Sequence, residues 1–184
     1  MKNKIIFIPG WMNTLETYKE YAGLEIWKDD FYHNEKIRPD FIIGHSLGAN
    51  YVLLNWRKYP NAKLILINPL LPKRNPIAWF IRFLKFHSQE GLYKERRLVS
   101  GLKYFWLGII RAVKLLSCDL YQEMENVPQK NLYVVRGEKD NFLCNGRDAE
   151  ILKEKKINLI EIEDLGHNWG EKFCEVIGKI TSDN

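Results

Sequence analysis

The chain has 184 residues, of which 46% are hydrophobic, and its 28 Lys/Arg against 23 Asp/Glu leave a net charge of +5. That composition fits one globular domain with a sizeable core. No apolar run approaches the length of a membrane span, and Ile5–Ile8, ended by Pro9-Gly10, is too short for a secretory leader. Cys118, Cys144 and Cys174 are odd in number and widely spaced, so they read as free thiols of a reducing compartment. No His/Cys/Asp/Glu cluster has metal-ligand spacing, and the expectation is a cytoplasmic protein without metal or cofactor.

Ile5–Ile8 reads as a first strand, ended by Pro9-Gly10-Trp11. Between Gly10 and Ser46 lie 35 residues. They leave room for a helix near Leu15–Tyr21 and a short strand around Leu24–Trp27, but not for a full second strand–helix crossover. Phe41-Ile42-Ile43 is a buried strand by its apolar, β-branched character. Gly44-His45-Ser46-Leu47-Gly48 follows, and Ala49–Trp56 reads as a helix that ends near Pro60. A serine between strand and helix, with glycine two residues away on each side, is a nucleophile elbow. The turn is too tight for side chains at positions 44 and 48, so glycine lets strand and helix approach. An oxyanion formed at Ser46 would face the backbone N–H groups that open the helix.

Ala62–Asn68 is the next strand, closed by Pro69. Between Pro72 and Pro128 strand signals vanish, and helices rich in aromatics and bases take their place. One runs over Pro76–Phe86, with proline in its first turn. Another runs over Gly101–Leu116, where Lys103, Arg111 and Lys114 share a sector under a quarter-turn wide and the remainder is apolar. Residues 73–114 carry ten Lys/Arg and two Glu, a net +8, so the rest of the chain is net −3. Three readings follow: a solvated basic face, an attraction for an acidic partner or anionic substrate, or a helix lying on a membrane surface. Trp79, Phe80, Phe83, Phe86, Tyr104, Phe105 and Trp106 suit an apolar acyl pocket or plain core. No basic-aromatic groove motif stands out, so a nucleic-acid partner is not expected.

Asn131–Val135 is a strand that leads through Gly137 to Asp140, and Ile157–Glu163 is a strand that leads through Gly166 to His167. Asp148–Lys155 and Glu171–Ile180 read as the last two helices. In a parallel sheet the loops bearing Ser46, Asp140 and His167 all leave the carboxyl edge, where such sheets bind ligands.

Serine, then aspartate, then histidine is the chain order of the α/β-hydrolase triad, and from Ile5 to about Ile180 the chain resembles that superfamily. The resemblance implies a compact serine esterase with a reduced, mostly parallel sheet of about five strands and helices on both faces. It implies one domain, with core 1–71 and 128–184 and a helical cap inserted over 72–127. Ser46 would be the nucleophile, His167 its base and Asp140 the acid that orients His167. Pro9-Gly10 stands where many members have His-Gly, and by the same likeness the N–H groups of Trp11 and Leu47 would form the oxyanion hole. The implied substrate is a small ester with an apolar acyl group, with thioesters and small amides open to the same chemistry. The superfamily also includes esterases of acyl groups borne by an acidic carrier protein, among them the methyl ester esterases of biotin synthesis, and a basic cap would suit such a partner. A non-catalytic binding module on the same fold is the rival of another class.

Other residues compete for the same roles. His33 lies in a polar connection, His87 in the variable middle of the chain, and His45 inside the elbow, where it cannot turn back onto Ser46. Asp148 opens or faces a helix, Glu138 precedes the turn, and Asp119 has no strand before it, which leaves Asp140 favoured.

Overall fold

Four runs dense in β-branched, aliphatic and aromatic residues become parallel strands buried on both faces, and a fifth, Asn-Leu-Ile-Glu-Ile, pairs with them as a half-exposed edge. They are β1 (Ile5–Ile8), β2 (Phe41–His45), β3 (Lys63–Ile67), β4 (Leu132–Gly137) and β5 (Asn158–Ile162). The computed structural model describes residues 3–11, 13, 15–21, 23, 38–90 and 108–182. The strands form one sheet in the order β1-β2-β3-β4-β5, every neighbouring pair parallel. Six helices accompany it among the described residues: α1 (Leu47–Leu54), α2 (Pro76–Glu90), α3 (108–116), α4 (Leu120–Asn126), α5 (Gly146–Glu154) and α6 (Glu171–Ser182).

Alternation along the strands divides the core into two layers. Ile6, Ile8, Ile42, Leu64, Leu66 and Val134 face one way and meet residues of α1 and α4, together with Leu152 of α5. Phe7, Phe41, Ile43, Ile65, Ile67 and Val135 face the other way, onto Phe173, Ile177 and Ile180 of α6. Each side chain so buried contributes about 1.5–3 kcal/mol relative to exposure. The expected helices on both faces are therefore present. Among the described residues no helix is long and apolar enough to cross a membrane.

The connection after β1 departs from its expected form. Instead of an α-helix near Leu15–Tyr21 there is a single 3-10 turn, Leu15–Tyr18. Packing shapes it: Tyr18 is fully buried, with its ring 4.3 Å from that of Phe7. Gly23 then forms an isolated parallel bridge to Phe7. The expected strand around Leu24–Trp27 lies outside the described residues, as do residues 101–107 of the expected basic helix.

This arrangement locates the switch point of the sheet. The connection leaving β1 carries Tyr18 into the α6-side core, whereas the connection leaving β2 is α1, in the opposite core. Where neighbouring connections part to opposite faces, loops at the carboxyl edge diverge and a ligand can enter. Here that point lies between Pro9-Gly10-Trp11 and Ser46-Leu47.

Candidate active site

Ser46 sits at φ 56°, ψ −130°, a conformation that costs a non-glycine residue about 1–3 kcal/mol and is kept only where its surroundings impose it. They do impose it. The Ser46 N–H donates to the Ile67 carbonyl at 2.8 Å. A Cβ on Gly44 would lie 2.6 Å from the Ala49 Cα, and one on Gly48 only 2.4 Å from the Pro9 carbonyl oxygen. The second contact also explains how the elbow and the first loop come together. A Cβ on Gly10 would lie 3.0 Å from that of Ser46, so the Gly10–Trp11 segment runs alongside the serine. Leu47 opens α1, where the first N–H groups of a helix have no intrahelical acceptor.

The His167 ring bridges the other two loops. Its Nδ1 lies 3.0 Å from Asp140 Oδ2, and its Nε2 lies 3.1 Å from Ser46 Oγ. A carboxylate only accepts, so Nδ1 carries the proton and Nε2 is left to accept from the serine hydroxyl. Asp140 is fully buried. Burial opposes its charge, but His167 and the N–H groups of Phe142 and Leu143 outweigh that and hold the carboxyl below its ordinary range. Cys144 N–H adds a longer contact of 3.3 Å to Oδ2.

The rival groups are occupied elsewhere. Asp148 accepts from Asn145 N–H at 2.9 Å in the capping box of α5, and the Tyr121 hydroxyl donates to it at 2.6 Å. Asp119 caps α4 by accepting from Tyr121 N–H at 3.0 Å. Glu138 is exposed. His33 lies outside the described residues, and of His87 only its place on α2 is described.

His45 has a definite task. Its Nε2 lies 3.0 Å from the backbone oxygen of His167, and its Nδ1 lies 2.7 Å from the Tyr18 hydroxyl. A carbonyl cannot donate, so Nε2 bears the proton, Nδ1 accepts from Tyr18, and the Tyr18 oxygen accepts from Gly10 N–H at 3.3 Å. Burial first, then the neighbouring His167, lowers the His45 pKa from 6.5 to about 3, so the ring is neutral at ordinary pH.

Sequence reasoning missed several supports. The Asn68 amide donates to the oxygens of Gly166 and His167 at 3.2 and 3.0 Å and accepts from Gly137 N–H at 2.9 Å. It thus pins both downstream loops from the end of β3. Buried Arg136 donates to the carbonyls of Cys144 and Glu138 at 3.0 and 2.8 Å, holding the loop of Asp140 from below, and pairs with Glu161. An Asn-Pro step directly after an apolar strand was the one local cue to Asn68.

Aromatic rings close the surroundings. Phe142 and Phe86 both meet the His167 ring edge-on, at 5.1 and 5.6 Å, and stack on each other at 4.4 Å. Trp11 packs on Trp79 at 5.6 Å and on Phe83 at 5.4 Å. Arg82 donates to the Asn141 carbonyl, which ties α2 to the loop that bears Asp140. Ser46 is 8% exposed beneath this shell. Of the bases expected on one helical sector, Lys114 is exposed and Arg111 lies over the Tyr51 ring. Lys103, Tyr104, Phe105 and Trp106 are outside the described residues.

No family model matches the chain, and no curated protein matches it significantly. Solved structures do. A thermophilic esterase superposes with a TM-score of 0.64 at 16% identity, over 99% of this chain and 90% of that one. A hydrolase from Pseudomonas aeruginosa gives 0.63 at 14% identity, over 98% and 89%. An α/β-hydrolase enzyme from a Medee basin deep-sea metagenome library gives 0.61 at 15%, over 98% and 87%. The chain has the α/β-hydrolase fold.

Proposed function

We propose that this chain of α/β-hydrolase fold is a serine hydrolase that cleaves carboxylic esters of apolar acyl groups. One observation carries the reading: a hydroxyl, an imidazole and a buried carboxylate joined in series at 3.1 and 3.0 Å, at the carboxyl edge of a parallel sheet. As the Ser46 oxygen bonds to the ester carbon, its proton passes to His167 Nε2, and the Asp140 carboxylate stabilises the resulting imidazolium. Collapse of the tetrahedral intermediate breaks the bond to the leaving alkoxide, which takes the proton from His167. Water, deprotonated by the same nitrogen, then cleaves the acyl-enzyme to free acid and Ser46. The N–H groups of Trp11 and Leu47 are the proposed oxyanion donors, each worth about 3–4 kcal/mol of barrier.

The rings support an apolar acyl group: Phe86 and Phe142 lie against His167, and Trp79 and Phe83 continue the same apolar surface to Trp11. Segment 72–127, which contributes Trp79, Phe83 and Phe86, serves as the cap of a single domain.

A fluorophosphonate probe tests the reading. Wild-type protein is expected to be labelled once, at Ser46, and Ser46→Ala not at all. Wild-type protein that resists the probe and hydrolyses no p-nitrophenyl ester is a binding module, and the reading fails.

A further inference from the structure

Helix α2 is apolar on two opposite sides. At 100° per residue, Trp79, Phe83 and Phe86 share one sector, the one turned to the aromatic shell around His167. Ile77, Ile81 and Leu84 share a second sector roughly opposite, and they are 75%, 64% and 43% exposed. On α3, Ile110 and Val113 are 71% and 39% exposed. Among the described residues these five are the exposed large hydrophobics, and all lie on α2 or α3. An apolar set gathered on two helices differs from the scattered single exposures of an ordinary surface.

The charge of the same stretch is one-sided. Residues 73–90 and 108–116 hold six bases, Lys73, Arg74, Arg82, Lys85, Arg111 and Lys114, against one acid, Glu90 at the end of α2. A helix with branched aliphatics at its crest and the exposed Arg82 and Lys85 along one flank can lie in the headgroup layer of a bilayer, its apolar side entering the acyl region. The bases then complement anionic lipid, each adding attraction that salt weakens. An acidic protein would satisfy the bases but leave five exposed aliphatics unexplained.

We infer that α2 and α3 dock this protein onto anionic lipid surfaces, so that the helix over Ser46 rests on the phase in which long apolar acyl chains dissolve. The nature of the substrate rests on the ester-hydrolase reading; the docking itself does not.

Vesicle co-sedimentation tests it, with phosphatidylcholine alone and with phosphatidylcholine–phosphatidylglycerol mixtures, at low and high salt. Wild-type protein and Ser46→Ala are expected to pellet with the anionic vesicles alike, less so at high salt. Ile77→Ser/Ile81→Ser/Leu84→Ser is expected to bind them at least about tenfold more weakly, while turnover of a soluble short ester stays unchanged. Lys73→Glu/Lys85→Glu/Lys114→Glu is expected to lose the preference for anionic lipid. The inference is overturned if wild-type protein stays in the supernatant or binds neutral and anionic vesicles equally. It is overturned too if the serine triple variant binds like wild type while charge reversal abolishes binding, the behaviour of a purely electrostatic, acidic-partner surface. Vesicle binding by a protein that hydrolyses no ester leaves the docking intact and removes only the ester reading.

Discussion

The Nε2 of His45 donates to the backbone oxygen of His167, 122 residues further along the chain. The neighbour of the proposed nucleophile thereby holds the main chain of the proposed base. Through Tyr18 the same chain of bonds reaches Gly10 beside the proposed oxyanion donor at Trp11. Three loops from three strands are joined through one neutral imidazole.

Tyr18→Phe removes the donor to His45 and the acceptor for Gly10 N–H while keeping the ring stacked on Phe7. An unsatisfied buried polar group costs about 1–3 kcal/mol. We expect kcat to fall about tenfold with KM changed little, because alignment is lost and apolar binding is not. A KM effect with kcat intact would mean that Tyr18 only shapes the binding surface.

His45 also predicts a pH dependence of stability. Its folded pKa, about 3, lies below the ordinary 6.5, so the unfolded state takes up the proton first as pH falls. Stability is thus complete above pH 6.5 and is lost progressively toward pH 3. Between pH 7.5 and 5.5 the expected loss is on the order of 1 kcal/mol. Asp140 is lowered from its ordinary 3.8 and acts in the same direction at the acid end of this range, below the interval between pH 5.5 and 7.5. Urea melts at the two pH values are expected to show that loss in wild type and not in His45→Gln, which has no titrating ring.

Asp140→Asn is expected to cut turnover by about 10⁴-fold by favouring the wrong His167 tautomer. Asp148→Asn is expected to spare turnover and to lower stability by about 0.5–2 kcal/mol through the weakened capping box of α5. Initial rates and denaturation curves of the two variants check this. If Asp148→Asn is the variant that loses turnover, the acid must be reassigned.

Phe86→Leu and Phe142→Leu are expected to shift the preferred ester toward longer acyl chains. Each methylene-sized misfit is worth about 1–3 kcal/mol of discrimination. The Phe142 N–H still serves Asp140 in the variant, so chemistry on the shortest ester is expected to survive. A kcat/KM series over acyl length measures the shift.

Much of the fold was legible because its determinants are local. Ile5–Ile8, Phe41–Ile43 and Lys63–Ile67 are apolar runs punctuated by glycine, proline or asparagine, and a buried parallel strand needs little else. The demand for small residues at Gly44 and Gly48 is equally local. The loops bearing Asp140 and His167 follow directly from the ends of their strands. Asn68, Tyr18 and Arg136 were not legible in the same way. The partners of Asn68 on the histidine loop lie 98 and 99 residues away, and no short-range periodicity encodes such pairings. The 3-10 turn at Leu15–Tyr18 was mistaken for a longer helix because the packing of Tyr18 against Phe7 fixes it, not intrinsic propensity.

Asn68 has a mechanical consequence. The loops after β4 and β5 hang from one side-chain amide, so a single residue sets the spacing of Asp140 and His167, while His45 ties the elbow to the same His167 oxygen. Asn68→Ala is expected to lower the temperature at which nucleophile labelling and the downfield imidazole–carboxylate proton resonance are lost, both together, because the one amide that spans the two loops is gone.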